Sequence, residues 1–344
     1  MNLSDFRPRP RLVTKATEVD QPRFPVIDAH NHLELFGEGW ERRPVAQALE
    51  AMDRAGVTAL VDLDGGWGEE VLDRHLARFK AAAPERFAVF GGVDWAAWPK
   101  YGDEFGHYAA ERLRAQAARG AQGLKIWKPF GLHVRDQHGA LTAVDDPRLD
   151  PLWRAAGALN LPVLVHVADP VAFFDPLDAH NERYEELQAY PDWHFPSPPF
   201  PGFLAIVEAF ARLVERHPGT DFIGAHVGCY AENLGWVSDL LRRCPNFYVD
   251  FSARIAELGR QPYTARRFFL EFPERILFGL DGGLRPELYR VYYRFLETED
   301  EYFGYDTAEP PSQGRWRIYG LGLPDEVLRK VYAENAQRVV FQRS

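Results

Sequence analysis

Residues 26–33 read Val26-Ile27-Asp28-Ala29-His30-Asn31-His32-Leu33, a mostly apolar run that ends in two histidines two positions apart. In an extended strand alternate side chains share a face, so we expect His30 and His32 to point the same way, with Asp28 on that face. Two neutral imidazoles that converge on one point suit a divalent transition metal ion. A hydrogen-bonded histidine pair without a metal is the alternative, and further histidines at later strand ends would exclude it.

Short apolar runs alternate with helical patterns along the chain, which is typical of repeated βα units around a parallel sheet. Eight strands are predicted, over Val26–Leu33, Ala59–Asp64, Phe87–Asp94, Gly123–Trp127, Val163–Ala168, Asp221–Val227, Phe247–Ser252 and Ile276–Asp281. Eight such units favour an α/β fold of the closed (β/α)8 type, a TIM barrel, over a doubly wound sheet. A further helix is predicted over Asp325–Phe341, with Pro324 as its start signal.

Length and composition fit one globular domain. The chain has 344 residues, 46% hydrophobic and 26% charged, and α/β barrels often exceed about 250 residues as one unit. We therefore predict a single domain over residues 1–344, with residues 1–24 as an N-terminal extension. The formal net charge of -10 without a basic tract argues against nucleic acid or an anionic membrane as partner, because both bind clustered Lys and Arg.

The N-terminal residues and the cysteines predict the cellular compartment. Residues 1–24 lack the apolar core of a signal peptide, and no run reaches the length of a membrane span. Cys229 and Cys244 are too few for a disulfide framework, so reduced thiols are expected. These features predict a cytoplasmic protein.

Two connections are too long for simple loops, and both are rich in aromatic residues. They are Asp169–Pro201, after the fifth strand, and Glu297–Gly320, after the helix that follows the eighth. Long ordered loops on a barrel are usually functional, which here would mean contact with a small-molecule substrate. Caps that only seal the barrel mouth, or a contact in a homo-oligomer, are the alternatives.

Histidine and aspartate recur at the predicted strand ends. Besides His30 and His32, the fifth strand leads to His166, the sixth to His226 and the eighth to Asp281. Barrel active sites lie at the carboxyl ends of the strands. Each residue alone could be a hydrogen-bonded core group or a helix cap, but their joint placement predicts a metal site.

Several short motifs resemble the amidohydrolase superfamily. They are Asp28-Ala-His30-Asn-His32, Gly123-Leu-Lys125, His166, Gly224-Ala-His226, Gly279-Leu-Asp281 and Tyr332-Ala-Glu-Asn335-Ala. Within the superfamily the chain is most similar to the amidohydrolase-related branch, which includes lactone hydrolases and the decarboxylases related to aminocarboxymuconate semialdehyde decarboxylase. The resemblance extends over roughly residues 25–340.

The resemblance implies a distorted TIM barrel with one divalent metal ion. The ion would be held by His30, His32, His166 and Asp281, with His226 beside the water or the substrate. Zinc is the first expectation for the ion and manganese the alternative. A zinc ion can lower the pKa of its bound water to about 7, and Asp281 could accept the proton of that water. Asp28 could accept a hydrogen bond from a ligand histidine or bind another polar core group.

Lys125, Arg254 and Trp127 are the candidate substrate-binding residues. Lys125, at the end of the fourth strand, could bind a substrate carboxylate, pair with a nearby acid, or be carboxylated and bridge two metal ions. A second ion is expected only in that last case. Arg254, just past the seventh strand, has the bidentate geometry that suits carboxylates, or it is a solvated surface arginine. Trp127, together with Trp95 and Trp98, suggests an aromatic wall.

Two catalytic functions fit this set of residues. The first and preferred hypothesis is a metal-dependent hydrolase of a lactone, ester or amide that carries a carboxylate, with Asp281 and His226 as catalytic residues. The alternative is a metal-dependent, non-oxidative decarboxylase of a carboxylated small molecule. A barrel with a purely structural metal ion is disfavoured, because a closed structural site needs no additional histidine such as His226.

Overall fold

The computed structural model describes residues 9–308 and 310–342, and a ring of short parallel strands lies at its centre. The strands in these residues are β1 Val26–Asn31, β2 Val57–Asp62, β3 Phe87–Val89, β4 Leu124–Ile126, β5 Val163–Val165, β6 Phe222–Gly224, β7 Phe247–Asp250 and β8 Ile276–Leu277. All eight predicted strands are confirmed, but each ends before its predicted boundary. The chain therefore leaves the sheet before it reaches most of the candidate site residues.

The strands form two ladders that join into one barrel. The ladders have the orders β1-β2-β3 and β4-β5-β6-β7-β8, and every pair within them is parallel. Four backbone hydrogen bonds connect their edges: Gly91 N to Gly123 O at 2.9 Å, Lys125 N to Gly91 O at 2.8 Å, Ala29 N to Phe278 O at 2.8 Å and Asp281 N to His30 O at 2.8 Å. The first two bonds link β3 to β4 and the last two link β8 to β1, which closes the predicted TIM barrel.

Helices follow the strands and cover the outside of the barrel. They are α1 Val45–Ala55, α2 Glu69–His75, α3 Trp98–Tyr101, α4 Phe105–Arg119, α5 Pro129–Leu132, α6 Asp150–Ala158, α7 Tyr184–Ala189, α8 Phe203–Arg216, α9 Ala225–Gly228, α10 Leu234–Arg243, α11 Ile255–Arg260, α12 Pro262–Glu271, α13 Pro286–Glu297 and α14 Asp325–Arg329. Each of the longer helices buries one apolar stripe against the strands. In α8 that stripe includes Val207, Phe210 and Val214, all fully buried.

The helix predicted over Asp325–Phe341 is confirmed, and it begins after Pro324 as α14. It continues through wider π-helical turns over Lys330–Glu334 and Gln337–Phe341. Its Val339 and Val340 belong to the same buried cluster as inward-facing strand residues such as Leu164 and Leu277. This segment therefore contributes to the core at the end of the barrel opposite the candidate site.

The strand face predicted for Asp28 is wrong, but its predicted role as a partner of polar core groups is confirmed. The register of β1 against β2 shifts between Asp28 and Asn31, so Asp28 does not share a face with the two histidines. Its Oδ2 accepts hydrogen bonds from Tyr289 Oη at 2.5 Å and from Asn31 Nδ2 at 2.7 Å. A bulge of this kind turns one side chain away from its regular position. Asp28 thus fastens β1 to α13, which is its alternative role as a partner of other polar core groups.

Both long connections are present as predicted, on the same side of the barrel as the candidate site. The connection after β5 contains α7, and the connection after α13 runs along the barrel mouth. Of the predicted N-terminal extension, residues 1–8 lie outside the described residues. The remainder is held by Thr17, whose Oγ1 donates to Asp300 Oδ1 at 2.8 Å. Within the described residues, each helix is too short or too polar to span a bilayer.

Candidate active site

Four histidine side chains and the carboxylate of Asp281 meet at the carboxyl-terminal mouth of the barrel. Asp281 Oδ1 lies 3.4 Å from His32 Nε2 and 3.8 Å from His30 Nε2. Its Oδ2 lies 3.6 Å from His226 Nε2. The imidazole rings of His166 and His226 are 4.4 Å apart between centroids. The structure therefore brings together all the strand-end residues that the sequence singled out.

The backbone departs from regular geometry at two of these positions. His226 has a φ of 57° and Asp281 a φ of 52°, both in the left-handed region. Such conformations cost about 1–3 kcal/mol each for residues other than glycine, and they concentrate at functional sites. Beside them, Gly279 leaves room for His30, because a Cβ atom at this glycine would lie 2.8 Å from His30 Cβ. The strained turns and the missing side chain together direct the polar groups into the barrel mouth.

Three of the histidines have their Nδ1 atoms held by oxygens at the ends of β2 and β7. His30 Nδ1 lies 2.9 Å from Asp250 Oδ2, His32 Nδ1 lies 2.8 Å from Asp64 Oδ1, and His226 Nδ1 lies 2.8 Å from Ser252 O. An oxygen at Nδ1 favours the tautomer with the proton on that atom, which leaves Nε2 free to bind a cation. Sequence reasoning missed these partners, although Asp64 and Asp250 also follow strands and carried the same signal as Asp281.

The protonation states of the cluster reflect burial opposed by neighbouring charges. Burial lowers the pKa of His166 to about 4. Burial also lowers the pKa of His226 well below its usual value, and the repulsion that two protonated rings would experience next to each other adds to this effect. Burial also disfavours the charged form of His32, but hydrogen bonds with Asp281 and Asp64 raise its pKa to about 9. A cation between His32 and Asp281 would replace this proton. The cluster thus combines the neutral imidazoles of His166 and His226 with a protonated His32 beside the anionic carboxylate of Asp281.

His166 has an available nitrogen at the centre of the site. Its Nε2 is buried and has no hydrogen-bond partner among the described residues. The nearest carboxylate oxygen is Asp169 Oδ1, at 3.4 Å, and Asp169 is itself paired with Lys128 Nζ at 2.8 Å. A buried polar atom without a partner is costly unless a ligand satisfies it. His166 therefore fits a role as a metal ligand.

Comparison with known proteins agrees with this arrangement. The sequence profile of the amidohydrolase family matches residues 27–342. The chain belongs to this family. The match covers all eight strands and every residue of the histidine and aspartate cluster, and it confirms the resemblance that the sequence motifs indicated. A comparison with curated protein sequences finds no significant match.

Solved structures with a similar fold include other amidohydrolases and several decarboxylases. A Staphylococcus aureus protein assigned to the amidohydrolases has a TM-score of 0.59 and 17% identity, over 92% of this chain and 99% of that one. The 2,6-dihydroxybenzoate decarboxylase from Rhizobium has a TM-score of 0.55 and 16% identity, over 92% and 98%. A dihydroxybenzoic acid decarboxylase from Polaromonas sp. JS666, solved with manganese and 2-nitroresorcinol, has a TM-score of 0.56 and 17% identity, over 92% and 96%. At these identities the similarity establishes the fold.

The donor atoms of this amidohydrolase have the spacing that a single metal ion requires. Two donors about 2.1 Å from a tetrahedral ion are separated by about 3.4 Å, and the distances around Asp281 are 3.4–3.8 Å. The ligand atoms of His30, His226 and Asp281 all lie within 4.8 Å of one another. The resemblance placed His226 beside the ion. Its Nε2 is as close to the carboxylate of Asp281 as the Nε2 atoms of His30 and His32 are. The distances among His30, His32, His226 and Asp281 fit one divalent ion, with His226 either as a ligand or next to it.

A cavity of about 740 Å³ lies over the cluster. Its wall includes Trp127 and Arg254, as the sequence predicted for residues that contact substrate. Lys125 is 99% buried and does not belong to the cavity lining of the described residues. Its Nζ lies 3.4 Å from His30 Nε2 and 4.8 Å from the centroid of the Trp127 ring. Lys125 could therefore contact a substrate only if the substrate reached past the residues that line the cavity.

Replacing Lys125 with methionine is expected to leave the metal ion bound and to weaken carboxylate ligands. Burial lowers the pKa of Lys125 to about 8, so at pH 7 it is still a cation. A hydrogen bond to a charged group contributes about 1.5–3 kcal/mol, which corresponds to roughly ten- to a hundredfold in affinity. Calorimetric titration with an aromatic carboxylate should detect this loss, and the matching neutral amide should bind both proteins equally.

The same variant distinguishes the three roles predicted for Lys125. Loss of metal ion on substitution would identify a carboxylated, bridging lysine. Unchanged carboxylate affinity with full metal content would leave Lys125 as the cation that balances the buried carboxylates Asp281 and Asp250.

Proposed function

We propose that this amidohydrolase is a metal-dependent, non-oxidative decarboxylase of an aromatic carboxylate. This places the second of the two sequence-based hypotheses ahead of the hydrolase. The observation that carries the proposal is a stack of two tryptophan rings, Trp127 on His32 and Trp67 on Trp127, beside the candidate metal centre. Such a surface selects a flat substrate ring and holds it next to the donor cluster.

The stacked aromatic rings lead from the cluster to the mouth of the cavity. The ring of Trp127 stacks on His32 with a centroid separation of 5.1 Å, and Trp67 stacks on Trp127 at 4.0 Å. Phe36 contacts the His32 ring by its edge at 5.8 Å. Aromatic faces bind planar π-systems with well-defined geometry. An aliphatic lactone or a flexible amide would make poorer use of this surface.

Arg254 supplies the charge that an anionic substrate needs. The side chain is nearly buried and belongs to the cavity lining. Its Nη1 donates to the neutral carbonyl oxygen of Ala253 at 2.9 Å, and Glu186 and Glu232 interact with its charge electrostatically. A guanidinium binds a carboxylate through two parallel hydrogen bonds, which fixes both position and orientation.

The similar structures support the same choice. Two of the three described above are decarboxylases of dihydroxybenzoates, whose substrates are planar aromatic acids. Their sequences are too distant to carry over a substrate, but they demonstrate that this fold accommodates such chemistry. Hydrolysis uses a similar set of donors, so the experiment below includes it as the competing outcome.

In the proposed reaction the protein positions the substrate and supplies a proton. His30, His32, His166 and Asp281 would hold the ion, which would polarise the oxygen atoms of the substrate. The bond between the ring carbon and the carboxylate breaks, CO₂ leaves, and the electron pair remains on the ring carbon. Asp281, which lies at the centre of the cluster, takes up a proton from solvent and delivers it from a carboxyl oxygen to that carbon. The stacked rings of Trp127 and Trp67 border the position of the substrate ring beside the cluster.

The donor set favours two candidate ions. Three imidazole nitrogens and one carboxylate suit zinc, and the same ligands accept manganese. We propose zinc or manganese, the latter because the structure from Polaromonas sp. JS666 contains it.

The test is a product analysis in labelled water. The purified enzyme, loaded with zinc or manganese, is incubated with a panel of hydroxybenzoates and, separately, with aromatic lactones and esters. In deuterium oxide a decarboxylase releases CO₂ and places one deuteron on the vacated ring carbon, which mass spectrometry and proton NMR detect. In ¹⁸O-labelled water a hydrolase places the label in the product acid.

The two outcomes exclude each other for any one substrate. Release of CO₂ with deuterium on the ring would support the proposal. Incorporation of ¹⁸O from a lactone or ester, without turnover of any aromatic acid, would restore the hydrolase hypothesis. The Asp281→Asn variant serves as the inactive control in both media.

A further inference from the structure

A second group of buried ionisable residues lies behind the candidate metal centre, outside the barrel interior. Asp62 is the last residue of β2, Asp64 lies two residues further along, and His75 is the last residue of α2. The exposed fraction of all three side chains is 0%. His75 Nδ1 lies 2.5 Å from Asp62 Oδ2, and His75 Nε2 lies 3.2 Å from Glu34 Oε2.

The two contacts of His75 determine its charge. A neutral imidazole carries one N–H group, so it can donate to only one of two carboxylates. Both ring nitrogens of His75 face carboxylate oxygens, and the doubly protonated imidazolium satisfies both. Burial opposes this charge, but Asp62 outweighs it and raises the pKa of His75. The negative charge of Asp64 also raises the pKa of His75. The ring of Phe79 packs against the imidazole, with 5.3 Å between the ring centroids. Arg74 forms an ion pair with Glu34 at 2.5 Å.

The hydrogen bonds around His75 form a closed circuit that includes Asp64. Asp62 Oδ1 accepts from the backbone N–H of Asp64 at 3.1 Å. Asp64 Oδ2 accepts from the backbone N–H of Glu34 at 2.7 Å, and the side chain of Glu34 returns to His75. The circuit thus joins three segments: the chain after β1, the end of β2 and the end of α2.

Asp62, Asp64 and His75 have the spacing of a metal site, but their atoms are already in use. Asp64 Oδ1 is bonded to His32 Nδ1, and Asp64 Oδ2 accepts from the backbone N–H groups of Leu33 and Glu34. His75 Nδ1 is likewise already hydrogen-bonded to Asp62 Oδ2. The group is therefore a hydrogen-bonded support and not a second metal centre.

We propose that His75 is a positioning residue for the candidate metal centre, acting through Asp64 on His32. As an imidazolium it holds Asp62 and Glu34, and these two residues fix the backbone that aims Asp64 at His32 Nδ1. The inference rests on the proposed metal site at His32. It assigns a role to a histidine that lies on the outer side of β2 and contacts neither the cavity nor the ion.

The test measures the dissociation constant for Zn²⁺, by competition with a chromophoric chelator, in the wild type and two variants. His75→Gln removes a positive charge, and by electrostatics alone the additional negative charge would strengthen the binding of a cation. Asp62→Asn/His75→Gln removes one charge of each sign, so the net charge is unchanged and a neutral hydrogen-bonded pair remains. The double variant also allows the measurement if the single variant, in which Asp62 has lost its histidine partner, does not fold. If His75 positions His32, both variants should bind Zn²⁺ about tenfold more weakly, the lower end of the range for supporting partners of metal ligands.

His217→Gln is the matched control. His217 is also a buried histidine, and it follows α8, away from the candidate centre. Its Nε2 lies 3.0 Å from Oδ1 of Asp150, the first residue of α6. It should lose a similar buried contact without any change in the dissociation constant beyond about twofold. Affinity equal to or stronger than wild type in both His75 variants would overturn the positioning role, as would an equal loss in His217→Gln. A wild-type protein that binds no Zn²⁺ would instead refute the proposed metal centre, on which the inference depends.

Discussion

Asp281→Asn should lower kcat by about a hundred- to ten-thousandfold while much of the metal ion remains bound. An amide oxygen can still coordinate a cation, but an asparagine cannot carry a proton between solvent and substrate. The expected loss corresponds to about 2.7–5.5 kcal/mol of transition-state stabilisation. The central position of Asp281, with three imidazole nitrogens within 3.8 Å of its oxygens, makes it the side chain best placed for this transfer.

The measurement combines three readouts on the same preparation. Elemental analysis gives the metal content, titration with an unreactive aromatic acid gives the ligand affinity, and steady-state assays give kcat. Ligand affinity should change far less than kcat, because the lost function is needed only during the reaction. A variant that retains its metal ion and turns over at nearly the wild-type rate would exclude Asp281 as the proton carrier.

His30→Ala or His32→Ala should release most of the metal ion and abolish activity. The purified wild type is expected to contain about one divalent ion per chain. Each substitution removes one donor and leaves its former Nδ1 partner, Asp250 or Asp64, buried without a histidine. The metal content of the variants, measured after dialysis against a weak chelator, should fall to a small fraction of the wild-type value.

A histidine remote from the cluster provides the comparison for these variants. His217→Ala removes a buried imidazole but no candidate ligand, so it should retain a full complement of metal. Unchanged metal content in His30→Ala and His32→Ala would remove the premise of the proposed centre. A wild-type content near two ions per chain would indicate that Lys125 is carboxylated.

The fold and the members of the site could be predicted because they depend on local patterns. Strand-length apolar runs and helical periodicity are properties of neighbouring residues, and a parallel barrel brings its strand ends together whatever their order in the chain. The position of His30, His32, His166, His226 and Asp281 at such ends was therefore sufficient to predict their convergence.

The partners and orientations within the site could not be predicted from local patterns. The contact between His30 and Asp250 joins residues 220 positions apart, and no spacing rule selects Asp250 over other aspartates. Asp28 was misplaced because a register shift within β1 reverses the face of a single residue, and regular alternation does not contain that information. The strands end early for a related reason, since the turns that carry His226 and Asp281 adopt positive φ values that an apolar pattern does not reveal.

The seam between β8 and β1 has a consequence for the synthesis of the protein. The hydrogen bond from Asp281 N to His30 O joins the first and the last contributors to the site across the closing edge of the barrel. Contacts between residues so far apart in sequence form slowly and only after the intervening chain exists. On the ribosome, where chains emerge from the N-terminus, His30 and His32 therefore appear roughly 250 residues before Asp281. The proposed site can bind an ion in full coordination only after the chain has been made as far as Asp281, so metal loading would follow the synthesis of β8.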